Sequence, residues 1–140
     1  MNISDMWRDM TKIEKLRACV RQVEWILFVA SLRGIHVDMK SIDAVAKSKS
    51  FLEEGNELSD LKQAEDRAME TFEKCKTKPD SYDSTRTSLD EGTVAHICWR
   101  IALDVCCEHV SVQDVFECYL PPLGDLKQRS PIWKCMANYV

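Results

Sequence analysis

Turn-forming residues are scarce in this chain: of 140 residues only 4 are glycine and 4 are proline. An all-β protein needs such residues about every ten positions to reverse its strands, so the shortage argues against that class. Long apolar runs are lacking too. The longest, Trp25 to Ala30, is too short to span a bilayer, and no membrane association is expected. A basic excess is also missing, since 19 Lys and Arg stand against 23 Asp and Glu for a net charge of −4. That balance argues against a general nucleic-acid binder and is far from the dense acidic array of a DNA mimic. Met1-Asn2-Ile3-Ser4-Asp5 shows no basic stretch leading into an apolar run, so no signal peptide is expected.

Cysteine, by contrast, is plentiful, with 7 residues (Cys19, Cys75, Cys98, Cys106, Cys107, Cys118, Cys135). The odd count and their apolar, helix-periodic positions point to free thiols acting as small core residues, with no disulfides expected. A reducing, cytoplasmic setting follows as the expectation. The apolar share of 45% and charged share of 30% are ordinary globular values, and the length suits one domain over residues 1–140.

The strongest positive signal is helical periodicity. Met6, Met10, Ile13, Leu16, Val20, Val23, Leu27 and Ala30 follow one another in steps of three and four, along one face of a helix. With Ser4 as N-cap and Gly34 as a left-handed stop, the pattern predicts one long helix over about 4–33. Its second half, Trp25 to Ala30, is apolar on every side, which predicts enclosure by other helices. Ile35-His36-Val37 reads as a connector. A second helix, capped by Asp38 or Ser41, carries Ile42, Val45, Ala46, Phe51 and Leu52, and Gly55-Asn56 either ends it or is tolerated within it. Leu58, Leu61, Ala64, Ala68 and Phe72 mark a third helix, and residues 77–88 a flexible loop. Val94, Ile97, Cys98, Ile101, Ala102 and Val105 mark a fourth. Ser111 with Asp114 resembles a capping arrangement for a short fifth helix, and Ser130-Pro131 starts a last one. The expected fold is all-α: a bundle of four main helices with one or two short C-terminal helices.

Among the candidate chemical motifs, Glu53-Glu54-Gly55-Asn56-Glu57 comes first. If helical throughout, it sets Glu53 and Glu57 about one turn apart on one face, a geometry suited to a hard cation such as Mg²⁺. Phe51-Leu52-Glu53-Glu54-Gly55-Asn56-Glu57-Leu58 resembles the first acidic motif of the MazG-like all-α nucleoside triphosphate pyrophosphohydrolases, Glu-Glu-x-x-Glu. The resemblance implies Mg²⁺-dependent hydrolysis with Glu53, Glu54 and Glu57 as metal ligands. It covers about eight residues: the family's second motif, Glu-x-x-Asp one helix later, is met only by Glu91-Gly92-Thr93-Val94 or Thr93-Val94-Ala95-His96. Half of the ligand set is therefore missing.

Cys106-Cys107-Glu108-His109 offers Cys106 and His109 as an i, i+3 zinc pair, with His96, Cys98 and Cys118 nearby in sequence. Apolar neighbours make buried thiols the simpler account. His36, His96 and His109 could each serve a thiol nucleophile, yet no local sequence suggests an assembled site. Lys12, Lys15, Arg17 and Arg21 are interspersed with Glu14 and Glu24, which gives nucleic acid little support.

The termini carry Met6, Trp7 and Met10 at one end and Ile132, Trp133, Met136 and Tyr139 at the other, residue types enriched at binding surfaces. They either cover each other or await a second chain. With no complete active site, the sequence favours a small non-catalytic protein-binding module over an enzyme. An adaptor, inhibitor or regulator would dock through these Trp and Met anchors on a protein partner or on a second copy. It needs no cofactor, whereas the hydrolase alternative needs Mg²⁺.

Overall fold

A computed structural model describes residues 6–76, 89–120 and 123–136. Its elements are α1 (Met6–Asp9), α2 (Lys12–Leu32), α3 (Met39–Glu54), α4 (Leu58–Lys76), α5 (Glu91–Cys107), α6 (Val112–Asp114) and α7 (Pro131–Met136). A π-helical turn, Val115–Tyr119, continues α6, and a 3₁₀ segment, Gly124–Arg129, precedes α7. No strand occurs among the described residues, and α2 to α5 are packed together as an all-α bundle. The loop expected over 77–88 lies outside the described residues, as do Ser4 and Tyr139.

The core follows from the periodicity. From α5, Val94, Ile97, Cys98, Ile101, Ala102 and Val105 are all buried, so this helix is the axis of the bundle. α4 contributes Leu61, Ala64, Ala68 and Phe72. α3 lies against α2, α4 and α5, whereas α2 meets α3, α5 and α7. Along α3 the buried set is Ser41, Ala44, Val45 and Ser48, while Ile42 and Ala46, expected inside, face outward.

The long N-terminal helix is a correction. It breaks at Met10-Thr11, where Thr11 takes an extended conformation and accepts a hydrogen bond from the Glu14 N–H at 3.1 Å. Glu14 Oε1 accepts from the Thr11 N–H in return, also at 3.1 Å. This capping box satisfies two backbone donors and starts a new helix, so α1 can turn onto α7. At the other end of α2, Gly34 is the left-handed stop that the sequence predicts, at φ 69°. The Gly34 N–H donates to the Ser31 carbonyl and the Ile35 N–H to the Ala30 carbonyl, the paired bonds of a Schellman motif. Gly55 likewise ends α3, at φ 70°, with its N–H on the Phe51 carbonyl.

Candidate functional site

α2 is apolar around nearly its whole circumference from Trp25 to Leu32, but it has neighbours on only part of it. The expected enclosure of this half is therefore incomplete: Phe28 is 60% exposed and Leu32 72%. The Schellman turn sends the chain back so that α3 starts beside them. There Met39 is 75% exposed and Ile42 40%, and an open cleft runs between Phe28 and Ile42 over Ile35 and Val37. Phe28, Ile35, Val37 and Ile42 thus line one apolar cleft between α2 and α3, and Leu32 and Met39 are further exposed apolar side chains near the same turn.

A second apolar feature lies at the far end of the same helix pair. Ile13, 53% exposed, borders a recess of about 520 Å³ whose apolar walls are Leu16, Phe51 and Leu52. Between the two ends the face is charged. Arg17 donates to the Leu52 carbonyl at 3.1 Å, Lys49 pairs with Glu24 at 3.5 Å, and Arg21 and Glu53 line the same shallow cleft. The outer α2–α3 face thus reads apolar, charged, apolar.

The anchors expected at the termini are distributed differently. Trp7 is 1% exposed and Ile132 is fully enclosed, because α1 packs on α7. Lys15 sits over the Trp7 ring at 5.5 Å, and Lys127 over the half-buried Trp133 ring at 4.9 Å. Met10 is half-buried, and among the described anchors only Met6 is open. Met136 ends α7; its side chain, like the whole of Tyr139, falls outside what the structure describes. Trp7 and Ile132 are core residues, and no partner can reach them while the ends stay docked.

The acidic motif is not gathered on one helix face. α3 ends at Glu54, Gly55 turns the chain, and α4 begins at Leu58, so Glu53 and Glu57 fall on opposite sides of a helix end. All three glutamates are exposed. The Cys106–His109 pair fails for the same reason. α5 stops at Cys107 and Glu108 adopts a left-handed conformation at φ 54°, so His109 leaves the helix and is exposed. Among the described residues no group of three or more His, Cys, Asp and Glu is placed to hold a metal ion. His96 packs in an aromatic cluster, 4.8 Å from Phe72 and 5.8 Å from Trp99, and Trp99 donates to Glu65 at 2.9 Å.

Burial makes most of the thiols sluggish. It pushes Cys98 up to about 12, and Cys106 and Cys118 up to about 11. Cys19 is raised well above the ordinary thiol value, by burial first and then by the charge of Asp104. A thiol held protonated is a poor nucleophile.

Sequence reasoning passed over one polar network. Gln22, fully buried in α2, donates to the Tyr119 carbonyl at 2.8 Å and accepts from the Ile132 N–H at 3.0 Å. The Tyr119 hydroxyl donates to Asp104 at 2.6 Å, and Arg100 bridges Asp104 at 3.2 Å and Asp114 at 2.9 Å. The π-helical turn that ends at Tyr119 carries that side chain into the core, where it joins α5 to the C-terminal segment. This network is structural: it fixes residues 111–120 and the segment that carries Ile132 on the bundle. Its only sequence signal is a glutamine on the apolar side of α2.

Comparison with protein-family models, curated proteins and solved structures gives no match for this chain.

Proposed function

We propose that this chain is a non-catalytic protein-binding module that docks through the outer face of α2 and α3. The observation carrying the proposal is the apolar cleft between Phe28 and Ile42, with Leu32 and Met39 exposed near it and Ile13 exposed towards the far end of the same helix pair. Scattered exposed apolar residues are ordinary on protein surfaces. An apolar cleft shared by two helices, with a charged stretch beside it, is the usual form of a docking site. Its occupant is a helical surface, because two ridges with a cleft between them accept a third helix by ridges-into-grooves packing. No reacting group is needed, and the chain's regulatory or adaptor role would come from which helix it captures.

The test uses exposed positions, so that folding and binding separate. Phe28→Asp and Met39→Asp are expected to keep the helical circular-dichroism signal and the melting transition. Both should weaken capture of a wild-type partner about ten-fold or more, the effect of losing one anchor of roughly 2 kcal/mol. Glu117→Lys, exposed on the π-helical turn away from α3, is the control and should capture normally. Equal capture by all four proteins would overturn the proposal.

A further inference from the structure

The outer face of α2 has an order of side chains that matches itself in reverse. Ile13, Arg17, Arg21, Glu24 and Phe28 follow in steps of four, four, three and four, so they share one side of the helix. At about 1.5 Å per residue, Ile13 and Phe28 lie about 22 Å apart along it. Read forwards the order is apolar, basic, basic, acidic, apolar. Placed antiparallel to a second copy, about a two-fold axis between Val20 and Arg21, Ile13 falls on Phe28 and Arg17 on Glu24, each pairing occurring twice. A parallel arrangement would set Arg17 on Arg17 and Glu24 on Glu24, which repel.

Shape agrees with charge. Phe28 projects from one end of the face, and the recess of Ile13, Leu16, Phe51 and Leu52, lined also by the polar Thr11, Lys12 and Glu108, opens at the other. Its volume of about 520 Å³ leaves room for an aromatic ring. A knob at one end and a hole at the other close into a symmetric dimer when a two-fold axis lies midway. Arg17 and Glu24 are each engaged once within the chain, with the Leu52 carbonyl and Lys49, and both keep donor or acceptor capacity for a partner. The two Arg21 side chains meet beside the axis. They are long and exposed, and Glu24 stands one turn away, so water keeps that cost small.

We infer that the occupant of the α2–α3 face is a second copy of this chain, docked antiparallel with Phe28 of each copy in the Ile13–Leu52 recess of the other. The inference rests on the docking reading and names its partner.

Sedimentation velocity on the reduced protein over a concentration series tests it. The wild-type chain should move from its 16.1 kDa mass to twice that mass as concentration rises. Phe28→Asp should stay monomeric at concentrations where the wild type is dimeric. Arg17→Glu and Glu24→Arg should each weaken association, and the double variant should regain it, because both cross-pairs are restored with reversed sign. Circular dichroism on each variant confirms the fold. A wild-type chain that remains monomeric up to its solubility limit would overturn the second-copy inference, leaving the face to a different protein. A dimer indifferent to Phe28→Asp and to both charge reversals would overturn this inference, while the docking reading falls only with equal capture by the variants named above. A double variant no better than the single ones would overturn the antiparallel register.

Discussion

Gln22 is buried with both ends of its amide engaged, the Nε2 on the Tyr119 carbonyl and the Oε1 on the Ile132 N–H. An apolar replacement of similar size fills the space but leaves those two backbone groups unsatisfied in a dry site. Gln22→Leu is therefore expected to lose about 2 kcal/mol or more in urea unfolding, and to raise amide exchange in residues 115–120 and 132–136 before that of α5. An unchanged midpoint would mean that the clamp is decorative. Asp104, in the same network, has its carboxyl pushed above the ordinary 3.8 by burial, against the opposing pull of Tyr119 and Arg100. A raised folded value means that the folded state holds the proton more tightly than the unfolded chain. That stabilisation is fully present below the unfolded value and is lost as pH rises through the raised one. Asp104→Asn should remove this downward slope from the stability–pH profile, whereas a variant profile parallel to the wild type would contradict the assignment. Neither residue announces itself in the sequence. A lone glutamine or aspartate on an apolar face shows that a polar group is buried but not its partners, which for Gln22 are set by the return path of the chain 97 and 110 residues later.

At the scale of elements, most of the helices are legible because each is coded locally. The α5 stripe, the Ser111–Asp114 capping box and Pro131 at the first position of α7 appear in the structure as their residue types require. The break between α1 and α2 is equally local but is hidden by a second pattern. The apolar steps of three and four continue straight through Met10 and Ile13, while Thr11-x-x-Glu14 beneath them is a helix-start signal. Two codes overlap, and the backbone donors satisfied by the cap decide the outcome. Thr11→Ala should cost about 1 kcal/mol in thermal or urea unfolding, and Thr11→Ser should recover most of it. Equal loss in both variants would show that the hydroxyl cap does not hold the break. Gly55 teaches the opposite lesson. Its left-handed conformation ends α3, and this one turn separates Glu53 from Glu57, so the expected metal geometry depends on a helix that stops three residues short of Glu57.

The whole molecule decides what periodicity cannot: which apolar face receives a neighbour. α2 carries more apolar surface than its contacts with α3, α5 and α7 can cover, and the excess emerges at Phe28 and Leu32. The terminal Trp and Ile residues look like free anchors in the sequence because nothing local says that α1 and α7 will meet. Once they meet, Trp7 and Ile132 are core, and the exposed apolar surface lies elsewhere. The central claim is that the outer α2–α3 face is the working surface, with a second copy as its occupant. The most direct measurement is a dilution series followed by ¹H–¹⁵N correlation spectra of the reduced protein. Concentration-dependent shifts should cluster on residues 13–32 of α2 and 39–53 of α3, largest around Ile13, Phe28 and Leu52. Shifts confined to α4 and α5, or to the packed ends around Trp7 and Trp133, would contradict it.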